Sequence, residues 1–239
     1  KLEEIEIPND SKLKTIENFA FVSSTIKSIR IPSELVELKE GWCNFTPKLT
    51  NIKVSPENPR YRCIEDKIII GKTNIDELNY DCLVFCARDI THVQIPNSIE
   101  HICSFSFEHC NKLEEIEIPN DSKLKTIEKN AFYKSKIKII KIPSSVTSIG
   151  ELAFYDCEQL EKIDIPNDSK LQTIDKFAFA FSKIKSIIIP SSVTLIGESA
   201  FHACGQLLIV EIYHAKMKTM CQTAFSDCKN LILMIPNQS

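Results

Sequence analysis

The chain has 239 residues, 43% of them hydrophobic, and a formal net charge of −3. That balance excludes the basic face of a nucleic-acid binder, and no stretch nears the roughly 20 apolar residues needed to span a bilayer, so no membrane contact is expected of it. Five glycines argue against a phosphate loop, and no Ser-His-Asp, Cys-His or paired-carboxylate arrangement rises above chance, so the expectation is a non-enzyme without cofactor.

From Ile7-Pro8 onward one signal recurs. Eight of the eleven prolines follow an isoleucine, at Ile7, Ile31, Ile95, Ile118, Ile142, Ile165, Ile189 and Ile235, mostly 23 or 24 residues apart. Val54 and Ile212 hold the same phase without the proline. A fixed period of this size marks a solenoid, whose units are too small to bury their own apolar face and must stack on neighbours. Residues 1–239 therefore read as one elongated repeat domain. Lys1 starts on a repeat and Ser239 stops just past one, without the polar cap that terminal repeats carry. The chain reads as a piece of a longer array, in which export and anchoring signals are not legible.

One unit, residues 113–135, shows the logic. Leu113, Ile116 and Ile118 alternate with Glu115 and Glu117, the period of a half-buried strand. Pro119 ends it, having no N–H for the ladder, and Asn120-Asp121-Ser122 supply turn chemistry. Leu124 and Ile127 return the chain to the core, before a short turn or 3₁₀ segment bearing Ala131-Phe132. Longer units with IPNDSKL (7–13, 118–124, 165–171) alternate with shorter ones carrying IPSSV (142–146, 189–193). Residues 55–94 break the rhythm, setting Ile95 41 positions after Val54. Two β-rich runs there, either side of Thr73-Asn74, predict a β-hairpin extruded from the coil.

Small-Phe pairs recur at one phase, so Phe107, Phe132, Phe154, Phe179, Phe201 and Phe225 are expected to form a stacked spine. Cys110, Cys157, Cys204 and Cys228 each follow a spine Phe by three residues, where other units put Ser24, Ser135 and Ser182. A site accepting Cys or Ser is a small interior position that packs and hydrogen-bonds weakly to the next coil. At about 4.8 Å per coil, Cys110 and Cys157 lie beyond the reach of a disulfide. Cys204 and Cys228 are on adjacent coils, with parallel side chains that suit a bridge poorly. Whether Cys63, Cys82 and Cys86 pair in an exported protein stays open. His101-x-Cys103 and His109-Cys110 resemble zinc spacing, but the phase turns Cys110 inward, so no metal is expected.

The unit at 137–157, IKIIKIPSSVTSIGELAFYDC, resembles the leucine-rich repeats of BspA-like surface proteins. The insertion is similar to the one those proteins carry, through Asn58, Pro59, Tyr61, Gly71, Leu83, Val84 and Cys86. Departures are Trp42-Cys43 in place of Ala-Phe, and Cys103 and Cys221 in place of glycine. The resemblance implies a right-handed leucine-rich-repeat solenoid of about ten coils. A parallel β-sheet would line its concave face, with short turn or 3₁₀ segments opposite and one β-hairpin insertion. It implies a cell-surface or extracellular location and adhesion to host cells or matrix proteins, with no catalytic residues to carry over.

In such a solenoid two columns of side chains face outward from the sheet. One runs Glu4, Ser28, Asn51, His92, Glu115, Ile139, Lys162, Ser186, Ile209, Ile232; the other Glu6, Arg30, Lys53, Gln94, Glu117, Lys141, Asp164, Ile188, Glu211, Met234. The C-terminal half collects Ile139, Ile188, Ile209, Ile232 and Met234, which makes them candidate partner-binding residues, and a site for weak self-association. Strand preference, or a missing cap beyond this end, explains the same residues. Five Asn-x-Ser/Thr sequons, at Asn9, Asn44, Asn120, Asn167 and Asn237, are glycosylation sites only in a secreted parent. The leading expectation is a protein-binding module of the cell surface. The alternative is a cytoplasmic scaffold, which the many thiols suit.

Overall fold

The computed structural model describes residues 3–213 and 217–235, so Pro236 of the last Ile-Pro pair and the sequon at Asn237 fall outside them. The chain winds into a β-solenoid of about ten turns with parallel strands. Among the described residues there is no helix.

Each coil has three hydrogen-bonded sides. On the first lie the Ile-Pro strands, in runs from Glu4–Ile5 through Ser28–Ile31 to Asn51–Val54, and from Ser186–Ile189 through Ile209–Ile212 to Ile232–Met234, with two-strand pairs between. Their register sets equivalent positions of successive coils side by side: Ser28 faces Asn51, His92 faces Glu115, Ile139 faces Lys162 and Ile209 faces Ile232. Both predicted columns follow this register, interrupted between Val54 and His92 by the insertion.

The second side is a ladder of two-residue strands that the repeat pattern did not announce. Thr126–Ile127, Ser148–Ile149, Thr173–Ile174 and Leu195–Ile196 pair in parallel, each burying its isoleucine.

The third side carries the small-Phe pairs, on tight turns rather than 3₁₀ helix. Asn130 and Lys134 take φ of 55° and 56°, Leu152 and Asp156 of 57° and 55°, Phe177 and Phe181 of 55° and 62°. A left-handed residue with a Cβ costs about 1–2 kcal/mol. What offsets it is an alternation of amides. Asn130, Phe132 and Lys134 donate to the Glu151, Ala153 and Tyr155 carbonyls of the next coil, at 3.0, 2.7 and 2.9 Å. Between them, Ala131, Tyr133 and Ser135 close turns on Glu128, Asn130 and Phe132. Every amide of the segment is thus satisfied, which a buried backbone requires.

The insertion contains the expected antiparallel pairing either side of Thr73-Asn74, but it is built into the coil and not extruded from it. Tyr61–Ile64 and Ile68–Gly71 form an antiparallel hairpin, because Glu65 and Asp66 turn the chain at φ of 52° and 53° within the first β-rich run. Ile68–Gly71 then pairs with Cys82–Cys86, which itself runs parallel to His101–Ile102. The hairpin therefore lies in the second ladder, extends it to nine strands, and leaves Thr15–Ile16 with Glu37–Leu38 as a separate pair. Buried Asn58 anchors its start, donating to the Pro32 and Leu35 carbonyls and accepting from the Arg60 and Tyr61 amides.

The insertion also divides the core. Ile69 and Phe85 join a cluster with Trp42 and the first coils, while Ile68, Ile70 and Cys86 join the long cluster of the remaining array. At the seam lies Arg88, fully buried, 3.8 Å from buried Glu108 and 4.5 Å over the Phe85 ring. Arg88 Nε, Glu108 Oε1, Ser106 Oγ, Asn44 Oδ1 and His109 Nε2 are buried there without partners.

Candidate binding surfaces

Alternation along the Ile-Pro strands turns every second residue outward. Ile139, Ile188, Ile209, Ile232 and Met234 are accordingly exposed, between 38% and 60%. The register brings Ile209 beside Ile232 and sets Ile188 on the strand next to Ile209. It does not bring Ile139 to them, since Lys162 and Ser186 follow Ile139 in its column. Part of the exposure on the last strand has a plain cause. Leu233, in the inward phase opposite Val210, is also 47% exposed because no described coil covers it. Ile188 and Ile209 owe nothing to that edge.

Inside, Phe107, Phe132, Phe154, Phe179, Phe201 and Phe225 stack with ring centroids 4.7 to 5.3 Å apart. Phe21, Trp42 and Phe85 make aromatic contacts within the first cluster, in edge-on and tilted geometries. Cys110, Cys157 and Cys204 are buried and Cys228 half-buried. Cys157, Cys204 and Cys228 direct Sγ to the Phe132, Phe179 and Phe201 carbonyls of the preceding coil, at 3.0, 3.2 and 3.1 Å. Ser135 and Ser182 alternate with them, 3.5 Å from Cys157 and 3.3 Å from Cys204. Burial pushes the Cys157 and Cys204 thiols up to about 12.

The insertion cysteines do not meet one another. Cys63 stands across from Ile69 and Cys86 across from Ile68. Cys82 instead meets Cys103 of the next coil, whose hydrogen bond holds the Cys82 thiol below its ordinary value. Asn44 is buried, its neighbour Thr46 bonded to the Cys43 carbonyl, so that sequon is closed in the fold. Asn9, Asn120 and Asn167 are exposed.

The sequence reading missed a groove of about 430 Å³ where the insertion leaves the second coil. Leu38 to Trp42 line it on one side and His101, Cys103 and Ser104 on another, with Arg60, Tyr61 and Lys72 between. Tyr61 reaches the Leu38 amide with its hydroxyl at 3.0 Å. The signal was present in the Asn58-Pro59-Arg60-Tyr61 run, which ties the insertion to the coil beneath. Gly71 also lines the groove, and a Cβ there would press on Val84 and the Tyr61 ring at 3.0 and 3.1 Å.

A family model described as the BspA type leucine rich repeat region matches in six copies, over residues 1–84, 81–207 and 116–232. A leucine rich cell surface protein from Faecalibacterium prausnitzii superposes with a TM-score of 0.66 at 20% identity, covering 100% of this chain and 61% of that one. The pneumococcal vaccine antigen PcpA gives 0.59 at 20% identity, over 88% of this chain and 51% of its own. A leucine-rich repeat protein from Eubacterium ventriosum gives 0.59 at 22%, over 84% and 64%. The chain thus spans between half and two thirds of these relatives' lengths. None of the curated proteins matches it. The repeat, its insertion and the family match agree, and the chain belongs to the BspA-type leucine-rich-repeat family.

Proposed function

We propose that this chain is a non-enzymatic protein-binding module of a cell-surface protein, which adheres to host cells or extracellular-matrix proteins through the face of its Ile-Pro strands. The observation that carries this is the exposed apolar group of Ile188, Ile209, Ile232 and Met234, on a face whose other outward side chains, apart from Ile139, are charged or polar. Anchors of this kind, desolvated by a partner among near-neutral neighbours, dominate protein interfaces. The cell surface protein and the vaccine antigen among its structural relatives support the location. The same patch would serve weak self-association. Ten free thiols favour a second reading, an intracellular scaffold.

Two measurements test the proposal. Antibody labelling of the full-length protein on intact cells should succeed; labelling only after permeabilisation decides for the scaffold. Ile188→Lys with Ile209→Lys should abolish adhesion to cell monolayers or a matrix coat with the fold intact, while Ser28→Lys with Asn51→Lys changes little. Equal adhesion by both pairs removes the patch from consideration.

A further inference from the structure

The second ladder lacks one rung. In the regular coils its bonds follow a fixed pattern. The carbonyls of Ile127, Ile149 and Ile174 accept from Gly150, Asp175 and Gly197 of the next coil, at 2.8, 2.9 and 2.8 Å. A few residues on, Asn130, Leu152 and Phe177 donate across to Glu151, Lys176 and Glu198, at 3.0, 3.1 and 3.0 Å, a bond that Phe19 and Ser199 at the same place do not make among the described residues, so the carbonyl bond is the constant one. Leu38 and Gly41 hold these two positions in the second coil. Lys39 bonds back to Ile16 as Gly150 does to Ile127, and Gly41 has the left-handed φ, 63°, that Asn130 has. In place of the following coil comes the insertion, so Glu37–Leu38 pairs with Thr15–Ile16 alone.

The outer edge of that strand opens on the groove. Tyr61 takes the Leu38 amide. Among the described residues no backbone donor meets the Leu38 carbonyl, and no backbone acceptor meets the Gly41 amide. A free strand edge is a template for another chain. The charge beside it is only partly met, since Arg60 Nη2 reaches the Thr73 carbonyl at 3.5 Å and its charge also acts on the Glu37 carboxylate. Arg60 lines the groove with its Nε buried and without an acceptor, and Lys72 stands next to it. Of the two groove carboxylates, Glu128 is held by the Ser104 amide and hydroxyl, leaving Glu40 to oppose them.

We propose that this groove binds an extended acidic peptide segment of a partner protein. The segment supplies the missing rung through backbone bonds to Leu38 and Gly41, and sets a carboxylate on Arg60. This site is distinct from the face of the Ile-Pro strands and does not depend on it.

The test uses fluorescein-labelled peptides TEVEVEVT and TKVKVKVT, and the former with alternate amides N-methylated, read by fluorescence anisotropy against the intact chain. The glutamate peptide should bind at least about tenfold more tightly than the lysine peptide. N-methylation should remove binding, because the ladder bonds go with it. Arg60→Ala should weaken binding by about tenfold, and Thr73→Trp at the exposed rim should block it, both with the parent's melting temperature. Ile188→Lys with Ile209→Lys should leave it unchanged. Equal binding of the two charge forms, full binding of the N-methylated peptide, indifference to Arg60→Ala and Thr73→Trp, or no binding up to about 1 mM overturns the proposal.

Discussion

Replacing Arg88 by methionine tests what holds the two core clusters together. Arg88 and Glu108 are 0% and 1% exposed and 3.8 Å apart. The guanidinium also donates to the Phe105 and Ser106 carbonyls, at 3.2 to 3.4 Å. Arg88→Met leaves the Glu108 carboxylate buried with one listener, the Phe45 amide at 3.0 Å. Breaking a buried pair from one side costs about 3–5 kcal/mol, most of it the stranded charge. Arg88→Met with Glu108→Met removes both charges and strands only neutral groups, the Phe45 amide chief among them, at about 1–3 kcal/mol. The double variant should therefore be more stable than Arg88→Met alone by about 2 kcal/mol, although it carries one more change. Urea unfolding read by tryptophan fluorescence suits the question. Trp42 is the single tryptophan and sits 5.6 Å from Phe85 at the seam. A double variant that costs the sum of the two singles would refute the reasoning.

Two further outcomes follow from local geometry. Phe154, stacked 4.8 Å from Phe132 and 5.1 Å from Phe179, should cost about 3–5 kcal/mol on truncation to Ala; hydrogen exchange should quicken first in the coils touching it, and uniform quickening along the chain would contradict a nearest-neighbour array. His109 is pushed down to about 4 by burial, then by the positive charges of Arg88 and Lys134. A depressed folded value means that its contribution is present above the ordinary 6.5 and lost as pH falls toward 4. His109→Phe keeps a ring against Phe45 and should lose less melting temperature than the parent over that window; identical pH slopes would count against it.

How much of this was legible depends on what each feature asks of its residues. The first ladder needs alternation and a stop, which Ile116, Ile118 and Pro119 spell out. Its outward columns followed by counting. The second ladder needs only a buried isoleucine and one residue before it, as in Thr126–Ile127, and two residues carry no period. The left-handed turns stayed hidden because Leu152, Phe177 and Phe181 are not turn residues. Bonds between coils fix their conformation, which no local rule reads. Glu65-Asp66 looked like the middle of one run and is the tip of a hairpin. Arg88, at the end of the second β-rich run of the insertion, carries no local sign of burial. Its burial follows from the coil it meets, 20 residues downstream at Glu108.

All three bonded sides of the array run their hydrogen bonds from coil to coil. Tension between the two ends of the solenoid would therefore load the rungs one after another instead of all together. Each coil released would lengthen the chain from about 4.8 Å to roughly 80 Å, at about 3.4 Å for each of its 23 or 24 residues. In a surface protein pulled between a cell and whatever it holds, such an array would act as a spring of equal steps. It would yield extension at nearly constant force while the coils still stacked kept their shape.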